Sequence, residues 1–488
     1  MKKYTISKLF LYRYRFHIGY TLLALAFLFL VIILPEITTR GLSEAEMESA
    51  VSSYNLHFSS ITSGNLIDLP YHFLQKFMIL SFGMTTFAIK FPSIMVAIAL
   101  GFLIILLLNR WFKSNVALLA SILTVLSIPF LHLAGTGTPD IMVVFWPTLL
   151  LWLGSKIQGE KKPQATFCFI FAFTLLFSIF TPHMIYLAIF IVLYVMLNPH
   201  LRFTVKSLPK LPFSSFCLII ALGLVVLVLN FISNPSIALQ LFFAENLDLG
   251  QYFNNIKAAF VPFFSWNTTP DGVFLTPLIG LPTFFLAFAG LFSTVKGFFA
   301  SRNSIASCLI VFTVLISGFN PNSALLLIIP TAILVAHGLK YILEKWYGLF
   351  PENPYARIFG VFPIATFIII MIISGLSHFI FGYRYTPAVA NNYNNDLQLV
   401  DKLEEGTNLV LVPETLNYKF YKVYEDRTHK INITPTNATE FPDNFATIGK
   451  PDFDLKGKKL NKIITSQKST NSDRIYLYIT ENSNNEEK

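Results

Sequence analysis

The chain has 488 residues, of which 54% are hydrophobic and only 13% are charged, and its mean hydropathy is +0.59. This composition excludes an ordinary soluble globular protein and is typical of a polytopic membrane protein. The net charge of +9 does not indicate a nucleic-acid partner, because the basic residues concentrate at alternate connections between apolar runs, where Lys and Arg set membrane orientation.

The apolar runs are long and lack the alternation of a transmembrane barrel, so they predict helices. A helix needs about 20 residues to cross the hydrocarbon core of a bilayer. We therefore predict an all-α membrane domain of about eleven transmembrane helices. They occupy residues 16–35, 86–109, 115–133, 139–156, 164–180, 182–197, 213–233, 274–295, 303–319, 323–343 and 358–381.

The orientation of these helices follows from the basic residues. The amino-terminal segment is rich in Lys and Arg, which predicts that it lies in the cytoplasm. The first run is long and has no small-residue cleavage site, so we interpret it as an anchor rather than a signal peptide. If the sides alternate, few basic residues fall on the outer side. They are Arg40, Lys76, Lys90 and Lys257.

The composition changes after residue 381, and residues 382–488 are polar. We predict a transmembrane domain over 1–381, with long outer loops at 36–85 and 234–273, and a small soluble α/β domain over 382–488 outside the membrane. Its predicted elements are a helix at 397–403 and strands at 408–412 and 474–479, followed by a disordered tail from residue 482. The three cysteines fall within predicted spans, which excludes a disulfide framework.

The first outer loop contains the acidic segment Ser43-Glu44-Ala45-Glu46-Met47-Glu48. Ser43 and Glu46 have the spacing of a capping box at the start of a helix. Glu44 and Glu48 are four residues apart and share one helix face, so they either point into a cavity or are solvated surface acids. Acidic loop residues contribute little to membrane orientation, which makes this segment a candidate functional site.

The segment that follows, residues 66–76, is amphipathic and predicts a helix lying in the membrane interface. Lys90 comes next, near the outer end of the second span. It either extends to the lipid headgroups or binds a phosphate at the membrane boundary.

Asp140 begins the fourth predicted span, where a carboxylate is favourable at a helix amino terminus. It is either a simple capping residue or part of a site, because the predicted topology places it on the same side as Glu44. Two converging carboxylates can hold a divalent cation between them. Alternatively, one can act as a base while the other acts as an orienting group.

Four segments, taken in order, carry a resemblance to a known family. They read GLSEAEMESAV (41–51), LPYHFLQKFMILSFG (69–83), FAIKFPSIMVAI (87–98) and TGTPDIMVVFWP (136–147). This order resembles the bacterial protein O-mannosyltransferase and aminoarabinose transferase superfamily, also called glycosyltransferase family 39, whose members have the GT-C fold. Lys90 matches a family arginine and Asp140 a family carboxylate, whereas Ser43 stands where the family has its catalytic aspartate.

The resemblance implies that a sugar moves from a polyprenyl-phosphate donor to an acceptor on the outer face of the membrane, the acceptor being a glycan, a lipid or a protein. It implies catalytic carboxylates among Glu44, Glu46 and Asp140. On chemical grounds, a divalent metal ion bridged by Glu44 and Asp140 could also hold the phosphate as a cofactor. Cations near the membrane boundary would stabilise the leaving phosphate. The candidates are Lys90, His72, Lys76 and, more weakly, His183, for which a helix-end role is the simpler interpretation.

Two alternatives from other classes stay open. A polytopic transporter would carry ionisable residues near the middle of the membrane, and the predicted spans have very few, which disfavours ion-coupled transport. A non-catalytic membrane scaffold with the same fold is favoured by the serine at position 43.

Overall fold

The computed structural model describes most of the chain. The described residues are 10–37, 41–56, 66–159, 165–208, 210–242, 249–264, 279–298, 300–349, 354–359, 361–390, 392–394, 396–438, 441–455, 457–465 and 474–480. The predicted tail from residue 482 and parts of the loops 36–85 and 234–273 lie outside these ranges.

Helices dominate the described part of the chain up to residue 400. In chain order the first are α1 (Phe10–Ile37), α2 (Glu44–Tyr54), α3 (Leu69–Phe82), α4 (Thr86–Trp111), α5 (Ser114–Val125), α6 (Ile128–Gly135), α7 (Asp140–Gly159), α8 (Ala165–Ser178), α9 (Met184–Leu197) and α10 (Pro199–Lys206). The next are α11 (Lys210–Ser233), α12 (Pro235–Phe242), α13 (Leu249–Phe264), α14 (Leu281–Lys296), α15 (Ser301–Ser317), a 3-10 helix (Pro321–Leu327), α16 (Ile328–Leu349), α17 (Pro354–Phe359), α18 (Val361–Tyr385), α19 (Pro387–Ala390) and α20 (Asp396–Val400).

Among the described residues, five helices are long and apolar enough to cross a membrane, or up to eight if each bent pair is counted as one span. The multi-pass membrane architecture predicted from the sequence is therefore confirmed. The five cover Arg13–Ile33, Thr86–Trp111, Asp140–Gln158, Ser323–Leu349 and Phe362–Tyr385. Three further apolar helices, α8, α14 and α15, are shorter than the roughly 20 residues of a full span, so the predicted count of eleven is reached only if they cross as well.

The bent pairs arise where a second helix starts soon after the first ends. The predicted span 115–133 is two helices, α5 and α6, that meet at 56°. The second begins with Ser127 at its N-cap and a proline in its first turn, and proline is well accommodated at the start of a helix but not within it. The pairs α9–α10 and α11–α12 bend by 96° and 117°.

Helices α14 and α16 pack closely through two glycines. A Cβ atom on Gly290 would lie 1.9 Å from the carbonyl oxygen of Leu334, and one on Gly338 would lie 2.0 Å from that of Leu286. Helices in membranes associate through small residues that let their backbones approach. Both glycines are therefore needed for this contact.

The carboxyl-terminal part forms the predicted small α/β unit. It contains β1 (Thr407–Leu411), α21 (Leu416–Thr428), β2 (Ile431–Pro435), β3 (Asn444–Ile448), β4 (Lys458–Ile464) and β5 (Ile475–Thr480). The strand order is β2-β1-β3-β5-β4. Strands β2, β1 and β3 are parallel to one another. Strand β5 is antiparallel to both of its neighbours, β3 and β4. β1 and β5 match the two predicted strands, and α20 covers only the start of the predicted helix 397–403.

The α/β unit packs directly on the helices that follow α1. Met47 of α2, Ile79 of α3 and Ile89 of α4 belong to one buried cluster with Phe420 and Tyr421 of α21. Burial of such side chains is the main source of stability at a contact of this kind. The candidate site described below lies beside this junction.

Candidate functional site

Helix α2 starts with the capping box predicted from the sequence. The Ser43 hydroxyl accepts a hydrogen bond from the backbone N–H of Glu46 at 3.3 Å, and the Oε2 atom of Glu46 accepts one from the backbone N–H of Ser43 at 2.8 Å. These two bonds satisfy donors that the first turn of a helix leaves open. They also fix the direction of the Glu46 side chain.

Glu46 also makes contacts beyond its own helix. Its side chain is fully buried, and Oε1 accepts a hydrogen bond of 2.6 Å from the backbone N–H of Gly137. The same oxygen lies 3.6 Å from the Lys90 ammonium. A Cβ atom on Gly137 would lie 2.8 Å from the Ile89 carbonyl oxygen, so only glycine fits this approach. One carboxylate thus joins α2, the start of α4 and the segment before α7.

Lys90 is buried, with 5% of the residue exposed. Besides its ion pair with Glu46, its ammonium lies 5.6 Å from the centre of the Tyr393 ring, a distance at which a cation and an aromatic face attract each other. Burial of this degree does not fit the alternative in which Lys90 extends to lipid headgroups. Its position at the amino-terminal end of α4 leaves the phosphate-binding interpretation as a prediction.

Tyr393 reaches the site from the far end of the chain. It follows α18 and α19, and the adjacent residue Asn394 exchanges two backbone hydrogen bonds of 2.9 Å with Leu42. This bridge places the start of the α/β unit beside the start of α2. The sequence analysis missed Tyr393, because no local pattern reveals contacts over 300 residues apart.

Asp140 occupies the first turn of α7 and is partly buried. The hydroxyl of Thr138 donates a 3.0 Å hydrogen bond to its Oδ2 atom. The carbonyl of Thr138 in turn accepts a 3.3 Å hydrogen bond from Ser93, whose hydroxyl shares a 2.7 Å hydrogen bond with that of Tyr71. Asp140 is therefore held by a chain of hydroxyl groups from α3 and α4.

A third carboxylate, Asp68, was missed as a site residue. It precedes α3 in a left-handed backbone conformation, with φ of 52°, and its backbone N–H donates a 2.8 Å hydrogen bond to the Phe180 carbonyl. Its Oδ1 atom is buried with no hydrogen-bond partner among the described residues. The Asp-Leu-Pro sequence before a predicted interface helix was the available signal, since Asp tolerates this conformation.

Burial raises the pKa of Asp68 to about 8, and the negative charge of Asp140 adds to the increase, while a hydrogen bond with Thr181 opposes it. The Thr181 hydroxyl also accepts a 3.0 Å hydrogen bond from the Trp146 indole. Burial likewise raises the pKa of Tyr71, and the charges of Glu46, Asp140 and Asp68 all contribute to that increase. Three carboxylates thus surround one buried phenol.

The remaining predicted site residues lie elsewhere. Glu44 is exposed on α2, as is Glu48. His72 is partly buried against Ser53 at 2.8 Å, and burial lowers its pKa to about 4, so it is neutral at neutral pH. A neutral imidazole does not supply the positive charge that the sequence analysis assigned to it.

Lys76 and His183 are also engaged in contacts of their own. The Lys76 ammonium donates hydrogen bonds to the carbonyls of Tyr54 and Leu56, at the carboxyl-terminal end of α2. His183 is buried before α9, and its Nδ1 atom shares a 2.7 Å hydrogen bond with Ser323. The structure therefore brings Glu46, Lys90 and Asp140 together and adds Asp68 and Tyr393.

The predicted metal ligands Glu44 and Asp140 do not form a ready site, because Glu44 is exposed. Within the described ranges, no group of three or more His, Cys, Asp or Glu residues is placed to hold a metal ion. Asp68 and Asp140, whose charges act on one another, are the carboxylates that fit a cation best. Divalent cations are often held by one or two carboxylates together with phosphate oxygens of a substrate.

Comparison with known proteins supports the resemblance seen in the sequence. Residues 69–227 match the family described as dolichyl-phosphate-mannose-protein mannosyltransferase. ArnT from Cupriavidus metallidurans matches with a TM-score of 0.54 at 12% identity, over 95% of this chain and 98% of ArnT. At this identity the similarity shows the fold of the chain. The predicted fold, a GT-C helix bundle with a small α/β domain, is confirmed.

Two further GT-C structures are similar. ArnT bound to undecaprenyl phosphate has a TM-score of 0.52 at 12% identity, over 94% of this chain and 98% of that one. The Archaeoglobus fulgidus oligosaccharyltransferase, tethered to an acceptor peptide, has a TM-score of 0.54 at 14% identity. It covers 87% of this chain, which spans only 64% of that enzyme's length. No match was found among curated proteins.

Proposed function

We propose that this GT-C protein is a membrane glycosyltransferase that moves a sugar from a polyprenyl-phosphate donor to an acceptor on the outer face of the membrane. The observation that carries the proposal is the buried Lys90 paired with Glu46, whose charge acts on the buried Tyr71 together with the charges of Asp140 and Asp68 at one end of the helix bundle. Transfer from a phosphate donor requires a cation that stabilises the phosphate charge, and activation of the acceptor requires a carboxylate that accepts its proton. This end of the bundle holds both kinds of group. The similarity to ArnT, whose structure has been determined with bound undecaprenyl phosphate, supports the proposed donor class.

In this mechanism Lys90 stabilises the donor phosphate. When the acceptor attacks the anomeric carbon, the bond from that carbon to the phosphate oxygen breaks and negative charge builds up on the leaving polyprenyl phosphate. A fixed ammonium in a site shielded from water stabilises such charge strongly, because it needs no reorientation during the reaction. Glu46 and the Tyr393 ring hold the ammonium in place. Glu46 is therefore a positioning residue.

Asp140 is the base that we propose for the acceptor. It accepts the proton of the attacking hydroxyl or amine as the new glycosidic bond forms. Asp68, with a pKa of about 8, is protonated at neutral pH and adds no negative charge beside Asp140. Glu44 lies on the exposed face of α2, which favours Asp140 over Glu44 for this role.

A requirement for a divalent cation stays a prediction. A cation held by Asp140 and by Asp68 after Asp68 releases its proton would supply additional positive charge for the phosphate. None of the steps above is routed through it. Sugar transfer measured before and after EDTA treatment, with Mg²⁺ or Mn²⁺ added back, tests the requirement.

The experiment that tests the function compares cells lacking the gene with cells complemented by variants. Mass spectrometry of lipid extracts and of cell-surface glycans measures the donor and the product. We expect the deletion to accumulate a polyprenyl-phosphate sugar and to lose a surface sugar, and the wild-type gene to reverse both changes. Asp140→Asn should insert at the normal level and fail to reverse them, whereas Glu48→Gln, an exposed change on α2, should succeed.

A different result separates the alternatives. Full reversal by Asp140→Asn contradicts catalysis by this site and favours the scaffold. If the sugar donor is unchanged in the deletion, transfer from polyprenyl phosphate is wrong. Accumulation of a solute inside the cells, without any change in lipid-linked sugars, indicates the transporter.

A further inference from the structure

A cavity lies at the opposite end of α4 from Lys90. Its volume is about 260 Å³. Lys90 is in the first turns of α4 and Trp111 is its last residue, so the two ends are separated by about 30 Å at 1.5 Å per residue. We call it the basic cavity. It is lined by Trp111, Phe112, Lys113, Asn115, Val116, Arg302, Lys340, Leu343, Glu344 and Tyr347.

Positive charge dominates the basic cavity. Lys113, Arg302 and Lys340 face a single acid, Glu344. The Lys340–Glu344 pair is long, at 3.9 Å, and the Glu344 side chain is 61% exposed, so solvent screens most of its charge. The cavity therefore keeps an excess of positive charge that a bound anion can neutralise.

The central cation is held rigidly. Arg302 donates a 2.5 Å hydrogen bond to the Trp111 carbonyl and lies with its guanidinium carbon 5.5 Å from the centre of the Phe112 ring. These contacts link the first turn of α15 to the end of α4. A guanidinium fixed in this way loses little freedom when it binds an anion, because its planar donors are already oriented.

The backbone adds to the positive potential. Helix α5 begins beside the cavity, and neither its N-cap residue, Lys113, nor the N-cap residue of α15, Ala300, gives a side-chain hydrogen bond to the first turn. The first N–H groups of a helix attract anions. Three cations and the starts of two helices thus meet around one cavity.

A buried polar group lies directly behind the aromatic wall. His337 is 2% exposed, its ring packs edge-on against Phe112 at 4.8 Å, and it lies within electrostatic range of Arg302 and Lys340. Its Nε2 atom has no hydrogen-bond partner within the described part of the chain. Unpaired buried polar atoms are rare in folded proteins. This one lies behind Phe112, outside the lining of the cavity.

We propose that the basic cavity binds a phosphate group, either in the headgroup of an anionic phospholipid or in a small phosphate ester from solution. The cations match phosphate charge, and the Arg302 fork matches its oxygens. The volume is below the roughly 300–1,000 Å³ of sites for drug-sized ligands, which favours a headgroup-sized group over a nucleotide. Trp111 and Tyr347 are of the type enriched at membrane–water boundaries, where lipid phosphates lie.

The test uses the full-length protein in nanodiscs of phosphatidylcholine. Short-chain phosphatidylglycerol and inorganic phosphate are titrated separately, and binding is measured by calorimetry. The double variant Lys113→Gln/Lys340→Gln removes two cavity cations. The double variant Lys296→Gln/Lys345→Gln is the matched control, because it removes two exposed cations outside the cavity lining, each beside its own aromatic ring.

We expect the wild type and the control to bind phosphatidylglycerol equally, and the cavity variant to bind at least about tenfold more weakly, since each charged hydrogen bond contributes strongly. Binding of phosphatidylglycerol alone identifies a lipid headgroup, whereas competition by inorganic phosphate identifies a solution phosphate. Equal binding by the cavity variant and the control, or binding of neither probe, overturns the proposal. Because the readout is binding far from Asp140, failure here leaves the glycosyltransferase proposal unaffected.

Discussion

Glu46→Gln is the change that most directly probes the candidate active site. The amide has nearly the shape of the carboxylate and still fits a capping box, so the start of α2 should be preserved. The variant removes the negative charge that lies 3.6 Å from the Lys90 ammonium, and it also removes one of the two oxygens that accept the backbone N–H groups of Ser43 and Gly137. The side chains of this pair are 0% and 7% exposed, so solvent cannot replace the lost partner.

The expected loss of stability follows from this burial. Removing one member of a buried ion pair costs about 3–5 kcal/mol, because the other charge is left uncompensated. The Tyr393 ring contacts the ammonium in both proteins, so its contribution cancels. The free energy of unfolding should therefore fall by about 3–5 kcal/mol. The affinity for a polyprenyl phosphate should move in the opposite direction, because the ligand phosphate no longer competes with Glu46 for Lys90.

The assay combines thermal unfolding with calorimetric binding of undecaprenyl phosphate in the same detergent. Glu46→Gln should unfold at a lower temperature and bind the lipid about tenfold more tightly or better, which corresponds to about 1.4 kcal/mol. Glu48→Gln, on the exposed face of the same helix, is the control and should change neither quantity. If Glu46→Gln unfolds and binds like the control, Lys90 is not held by Glu46 and is not the phosphate ligand.

Three further predictions concern the surrounding residues. Asp140→Asn should lower the rate of sugar transfer by about 10²-fold or more, because the base is lost, while the binding of undecaprenyl phosphate stays unchanged. A normal rate in a reconstituted transfer assay would show that Asp140 is not the base. Asp68 has a folded pKa of about 8, above that of the unfolded chain, so this group should contribute a loss of stability as pH rises from about 4 to 8, by up to about 1.4 kcal/mol per pH unit, whereas His72, with a lowered pKa of about 4, contributes a slope of opposite sign below about pH 6.5. Asp68→Asn should remove the contribution of Asp68 to the slope in thermal unfolding curves, and a slope equal to that of the wild type would contradict the burial of its charge. Gly137→Ala should lower the free energy of unfolding by about 1–3 kcal/mol, because its Cβ would lie 2.8 Å from the Ile89 carbonyl oxygen. An unchanged unfolding temperature would show that the segment before α7 can move away from Ile89.

The helices and the capping box were predictable because local physics fixes them. A bilayer requires long apolar helices, and Ser43 and Glu46 reach each other within one turn. The bend between α5 and α6 was missed, because the apolar run continues through Ser127 and hides the second helix start. Strands β2, β3 and β4 were not predicted, because they are short and partly polar. Their structure is determined by pairing within the sheet rather than by a local sequence pattern.

The contents of the site were harder to predict, since they depend on contacts distant in the chain. The sequence gives no sign that Glu46 rather than Glu44 turns inward toward Lys90. The burial of Asp68 depends on the segment around Phe180, more than a hundred residues further along. Tyr393 enters only through the pairing of Asn394 with Leu42. Hydropathy and topology therefore predicted the region of the candidate site, and tertiary packing determines which residues meet there.

The pairing of Leu42 with Asn394 has a mechanical consequence. It connects the start of the α/β unit to the segment that leads into α2, which carries Glu46, so the unit cannot be replaced without changing the site. A chain cut after α18 would keep the candidate spans among the described residues and yet lose the aromatic ring beside Lys90. Force applied to the soluble unit, for example by a bound acceptor, would reach the buried ammonium through this short strand pair and through the packing of Phe420 and Tyr421 against Ile89, the neighbour of Lys90.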